Sequence, residues 1–94
     1  MKVAEEGASD LHLAVGRHPV LRISGKLISL EKKPILTPSD TEGLVEVLMG
    51  KEWYQEFLKN KERDFSYAYK DKLRFRINTY FQKGYIGAAL RVVP

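Results

Sequence analysis

The sequence predicts an α+β domain in which one antiparallel sheet of about six strands carries helices on one face, in the order β-β-β-α-α-β-β-β. Three observations predict it. Residues 72–81 alternate strictly, with Leu73, Phe75, Ile77, Thr79 and Phe81 on one face and Lys72, Arg74, Arg76, Asn78 and Tyr80 on the other. Ile86 to Val93 follows across Lys83-Gly84, which suits a two-residue hairpin loop. Between an early group of short alternating runs and this late pair lies a stretch of apolar residues at three- and four-residue spacing, bounded by helix start and stop signals.

Met1 to Gly7 reads as the tail of a helix with Gly7 as its stop. Ser9 to Val15 alternates, which turns Leu11, Leu13 and Val15 inward and Asp10 and His12 outward. Gly16-Arg17-His18-Pro19 is a turn. Val20 to Ile23 and Leu27 to Leu30 then form a hairpin with Gly25-Lys26 at its tip, expected as type II′, pairing Ile23 with Ile28 and Leu21 with Leu30 along one buried face. Thr37-Pro38-Ser39-Asp40 announces a helix: Thr37 is the N-cap, Pro38 fits the first helical position, and Asp40 completes a capping-box pattern. Leu44, Val45, Val47 and Leu48 supply its apolar stripe, and Gly50 ends it. A second helix over about Lys51 to Lys59 carries Trp53, Tyr54, Phe57 and Leu58, read as core. Phe65 to Tyr69 alternates again and joins residues 72–81 across a three-residue loop, which sets Tyr67 opposite Phe75 and Phe65 opposite Ile77.

The late hairpin has a consequence beyond packing. A two-residue loop at Lys83-Gly84 places Phe75 opposite Val92, Ile77 opposite Leu90 and, on the outer face, Arg76 opposite Arg91. Two arginines directly across a ladder repel each other. Such a pair is useful when both serve one anion, and the planar guanidinium fork matches phosphate best.

At 94 residues the chain, 1–94, is one domain with a 44% hydrophobic, 30% charged composition of ordinary globular type. It has no cysteine, which excludes disulfides and thiolate metal sites. No apolar run approaches the length needed to cross a bilayer, so no transmembrane segment is expected. A net charge of +4 mildly favours anionic partners and is too small to assert nucleic-acid binding. No phosphate loop is present: around Gly25-Lys26-Leu27 the leading glycine is replaced by Val20 and the trailing Ser or Thr is missing. Asp10 and His12 offer at most two metal ligands on one strand face, short of a metal site. No catalysis is therefore expected from these residues alone. A small basic nucleic-acid-binding module is one alternative, since basic residues interleave with aromatics on a strand, but Phe75 lies on the core side. A PAS-type sensor or interaction domain is another, for which no polar residue in the expected core marks a pocket.

Gly7-Ala8-Ser9-Asp10-Leu11-His12-Leu13, followed by Pro19-Val20-Leu21-Arg22-Ile23-Ser24-Gly25, resembles the opening of the PilT family of twitching-motility ATPases and their type II secretion and type IV pilus relatives. Arg74-Phe75-Arg76-Ile77-Asn78, then Gln82, then Arg91-Val92-Val93-Pro94, resembles the close of that family's N-terminal, PAS-like domain. The resemblance implies a homo-hexameric motor whose second, RecA-like domain carries the Walker motifs and begins beyond a linker at Pro94. It implies that ATP and Mg²⁺ are the parent protein's cofactors, with none bound by this fragment alone. It further implies a cytoplasmic protein, peripheral at the inner membrane, working with the pilus base and its platform proteins and not with nucleic acid, in retraction rather than extension. Carried onto this sequence, Arg76 and Arg91, with Arg74 beside them, reach nucleotide phosphates while the domain packs on a neighbouring subunit's ATPase domain.

Overall fold

The computed structural model describes residues 7–69 and 73–93. Six antiparallel strands, β1 (Asp10–Leu13), β2 (Val20–Ile23), β3 (Lys26–Ser29), β4 (Glu62–Tyr69), β5 (Leu73–Gln82) and β6 (Tyr85–Val93), form one sheet in the spatial order β3-β2-β1-β6-β5-β4. Two helices, α1 (Pro38–Met49) and α2 (Lys51–Asn60), cross from one hairpin system to the other and cover one face. The predicted class and element order are those observed. The expected helix tail before Gly7 lies outside the described residues, as does the loop 70–72, although the pairing of Tyr69 with Leu73 leaves the three positions that loop requires.

Sequence fixes the late half of the sheet tightly. Lys83 and Gly84 both take positive φ, 54° and 83°, the type I′ geometry whose twist matches that of the strands it joins. Gln82 therefore pairs with Tyr85, Phe75 with Val92, Ile77 with Leu90 and Arg76 with Arg91, as the alternation predicts. On β4, Tyr67 faces Phe75 and Phe65 faces Ile77. Phe75, Ile77, Leu90 and Ala88 close against Phe57, Val45, Met49 and Leu21 to make the core. Thr79 is buried among them, and its hydroxyl donates to the Arg63 carbonyl at 2.8 Å, so its polar atom is satisfied.

Three expectations need correction. The β2–β3 hairpin turns on Ser24-Gly25, with φ of 49° and 80°, and pairs Ile23 with Lys26 and Leu21 with Ile28. A glycine second in the loop supplies the left-handed position that type I′ needs, so this turn is preferred to type II′ and the register moves by two. The expected buried face of that hairpin is found only in part: Leu21 is buried and Ile23 and Leu30 pack partly buried on the core, whereas β3, Ile28 included, is a sheet edge and exposed throughout. On α1 the inward stripe is Thr41, Val45 and Met49, four residues apart, with Leu48 at its margin; Val47 is 81% exposed, and Leu44 is partly exposed at the rim of the helix–sheet groove. On α2 Phe57 is fully buried, whereas Trp53 is 51% exposed and carries the Arg63 guanidinium 3.7 Å above its ring.

The helix starts are as the sequence signals. Thr37 Oγ1 accepts from the Asp40 amide at 3.2 Å, and the Asp40 carboxylate accepts from the Thr37 amide at 2.9 Å. The Thr37 backbone amide first, and then the Thr37 hydroxyl, favour the charged form and hold the Asp40 carboxyl below the ordinary carboxylate range. Gly50 ends α1 with φ of 90° and its amide donates to the Glu46 carbonyl.

Candidate functional site

Because the helices occupy one face, the other face of the sheet is open, and its side chains come in rows set by strand register. One row crosses all six strands: Leu27, Arg22, Asp10, Arg91, Arg76 and Ser66, each directly opposite the next. The row two residues along reads Val20, His12, Ala89, Asn78 and Asp64. Arg74 lies on the other side of the first row, opposite Val93 and Ala68. The predicted site residues Arg76 and Arg91 are thus brought together by backbone pairing, with Cα atoms about 4.5–5.5 Å apart as antiparallel pairing dictates. Arg74 shares their face but sits one row away.

What surrounds the two arginines differs. Arg91 donates from Nε to Asp10 Oδ1 at 3.2 Å, and Arg22 Nε lies 3.7 Å from Asp10 Oδ2. Ser9 Oγ donates to the same carboxylate at 2.8 Å. The Ser9 hydroxyl, then Arg91 and Arg22, hold the Asp10 carboxyl below the ordinary carboxylate range against the opposing effect of its burial. Its side chain is only 13% exposed, while that of Arg91 is 76% exposed. Among the described residues, no carboxylate lies within ion-pairing distance of Arg76. Asp64, the nearest acidic residue by register, accepts a hydrogen bond from the Asn78 amide instead.

Sequence reasoning found the arginine pair and missed Asp10 as its partner. The missing information was strand order: β1 borders β6, so residues 81 apart in sequence become cross-strand neighbours. The row carries three guanidinium groups and one carboxylate, an excess of positive charge on an open surface. Ala89, short among longer side chains, leaves a shallow depression of about 310 Å³ between Arg91, Arg76, Asn78, His12, Asp10 and Asp64. An oxyanion seated there meets two forked donors from adjacent strands, the arrangement that bidentate phosphate recognition uses.

The other face offers a different kind of space. A groove of about 530 Å³ runs between β1, β2 and α1, walled by Leu11, Leu21, Leu30, Leu44 and Leu48. Its polar lining is Lys33 and Asp40, and Asp40 is already engaged in the helix cap. An aromatic platform for bases is likewise not what β5 presents: Phe75 is buried, and the Tyr80 ring lies down over Gly87, where an added Cβ would come within 2.7 Å of it. No group of three or more potential metal ligands gathers among the described residues, and no helix among them is long and apolar enough to cross a membrane.

Against known proteins, the chain is 33% identical over 97% of its length to the type IV pilus retractation ATPase PilT of Pseudomonas aeruginosa, spanning 26% of that protein. It is 29% identical over 95% of its length to the type IV pilus ATPase PilU of the same organism, spanning 23% of it. No family model matches the chain. Among solved structures it superposes on the pilus retraction motor PilT with bound ADP at a TM-score of 0.87 and 40% identity, covering 99% of this chain and 27% of that one. The ATPase DotB of Legionella pneumophila shares the fold, with a TM-score of 0.81 at 21% identity over 99% of this chain and 26% of that one. The chain thus spans about a quarter of the length of the relatives it matches.

Proposed function

From the premise that this chain is homologous to the PilT and PilU type IV pilus ATPases, matching their N-terminal region, we propose that it is the N-terminal domain of a hexameric pilus motor. In that assembly it packs on a neighbouring subunit's ATPase domain, and its open sheet face is turned to the nucleotide. Arg76 and Arg91 reach the phosphates of ATP, with Arg74 at the margin, and Mg²⁺ and the phosphate loop come from the ATPase domain. The motor works at the cytoplasmic side of the pilus base with its platform proteins, and it retracts the pilus. The single observation that carries this reading is the cross-strand pairing of Arg76 with Arg91 on a helix-free face.

The chemistry follows from charge. In phosphoryl transfer, negative charge spreads over the equatorial oxygens, and a positioned guanidinium that meets it is worth about 10³–10⁵ in rate. Arg76 and Arg91 are exposed and adjacent, so their mutual repulsion is relieved when an anion sits between them. The test is ATP turnover by the full-length motor carrying Arg76→Ala or Arg91→Ala, counted per folded hexamer. Turnover should collapse, and lysine should not restore it, because it lacks the planar fork. Unchanged turnover alongside lower stability would mean that the arginines only hold the sheet. Mixing variant subunits with subunits disabled in their ATPase domain shows whether the arginines act across the subunit boundary: partial recovery requires it.

A further inference from the structure

Asp10 is the one carboxylate in a row that carries three arginines, and it is held by two hydrogen bonds, from Ser9 and Arg91, and a longer ion pair to Arg22. Ser9 Oγ fixes one oxygen at 2.8 Å, Arg22 approaches that same oxygen, and the other accepts from Arg91 Nε at 3.2 Å. Its position is further set by backbone pairing to both neighbours, since Asp10 faces Arg22 on β2 and Arg91 on β6. A guanidinium has two donor edges. With Nε committed to Asp10, rotation of the Arg91 plane is restricted, and the edge formed by its two terminal amino groups is the one left for an incoming oxyanion. The same contact ties the Arg91 side chain to β1, the strand on the side opposite Arg76.

We infer that Asp10 is a positioning residue for Arg91, holding its terminal amino edge toward the nucleotide phosphate, with Ser9 as the support that orients the carboxylate. This deepens the reading of the arginine pair and rests on it. It also makes a counterintuitive demand. Considered as charge alone, an aspartate beside an anion site weakens it, so removing Asp10 should tighten phosphate binding. If orientation is what matters, removing it should slow the reaction instead.

Asp10→Ala and Asp10→Asn separate these effects, because both remove the charge while only Asn keeps an oxygen that can accept from Nε. In the full-length motor, Asp10→Ala should lower kcat by about 10- to 100-fold with little change in KM, the order expected when a reacting group is misplaced by about 1 Å. Asp10→Asn should recover most of the loss, and Ser9→Ala, a milder change that leaves both ion pairs in place, should give a smaller fall. Melting curves taken in parallel report folding, so that turnover is counted per folded hexamer. Equal effects of Ala and Asn, or tighter nucleotide binding with unchanged kcat, would overturn the positioning role. If Arg91→Ala itself leaves turnover intact, the arginine reading fails and this inference falls with it. If Arg91→Ala is crippled while Asp10→Ala is not, the arginine reading stands and only the role of Asp10 is lost.

Discussion

Replacing Phe75 by alanine probes the facing of β5, on which both the core and the arginine row depend. Phe75 is 0% exposed and lies opposite Tyr67 and Val92 on the helix side of the sheet. A phenylalanine side chain buries about 150–250 Å², which at about 25 cal/mol per Å² corresponds to about 4–6 kcal/mol. Alanine keeps the Cβ and the surroundings collapse in part, so the expected loss is about 3–5 kcal/mol. Arg76→Ala, one residue along and on the opposite face, should stay within about 0.5 kcal/mol. Trp53→Ala makes a second contrast. Sequence periodicity groups it with the core, but its exposed ring gains mainly the stacked Arg63, so about 1–2 kcal/mol is expected. Urea titrations of the three variants, with the slope checked for constancy, give the differences directly. Should Phe75→Ala prove no more costly than Arg76→Ala, the assignment of faces would be reversed and the arginine row with it.

Other expectations come from single contacts. Thr37→Ala removes one half of the capping box and should cost about 1 kcal/mol in the same titration. Gly87→Ala forces a Cβ to 2.7 Å from the Tyr80 ring, so it should destabilise by about 1–3 kcal/mol; Tyr80→Ala in the same chain should abolish most of that penalty, which a double-mutant cycle measures. The depressed carboxyl of Asp10 contributes stability that is present above its unfolded pKa of about 3.9 and is lost as pH falls through its lower folded value. The stability gap between the wild type and Asp10→Asn should therefore shrink as pH drops below about 4, and a gap independent of pH would show that the ion pairs contribute nothing.

How far the sequence revealed all this depended on what sets each feature. The β5–β6 pair was legible because Lys83-Gly84 fixes a loop of two and the alternation of residues 73–81 fixes the faces, so Arg76 and Arg91 fall opposite by counting. The β2–β3 pair was misread by two residues because Ser24-Gly25-Lys26 allows two hairpin loops, and only backbone twist decides between them. Capping at Thr37 and Asp40 is local and was fully visible. Which apolar residues of α1 and α2 face inward was not, since Val47 and Trp53 lie within helical spacing of the core but outside the arc that meets the sheet. Asp10 could be placed on the outer face from its own strand, yet its contact with Arg91 needed the order of strands, a property of the whole topology.

The central claim is that Arg76 and Arg91 meet charge that develops during phosphoryl transfer, and the affinity of the full-length motor for ADP with aluminium fluoride, compared with ADP alone, measures it most directly. Such a mimic of the transferring phosphoryl group binds far more tightly than a ground-state ligand when the site is built for the transition state. The account predicts that Arg76→Ala and Arg91→Ala bind ADP nearly as the wild type does and lose most of the extra affinity for the aluminium fluoride complex. Variants that keep the full excess would contradict it.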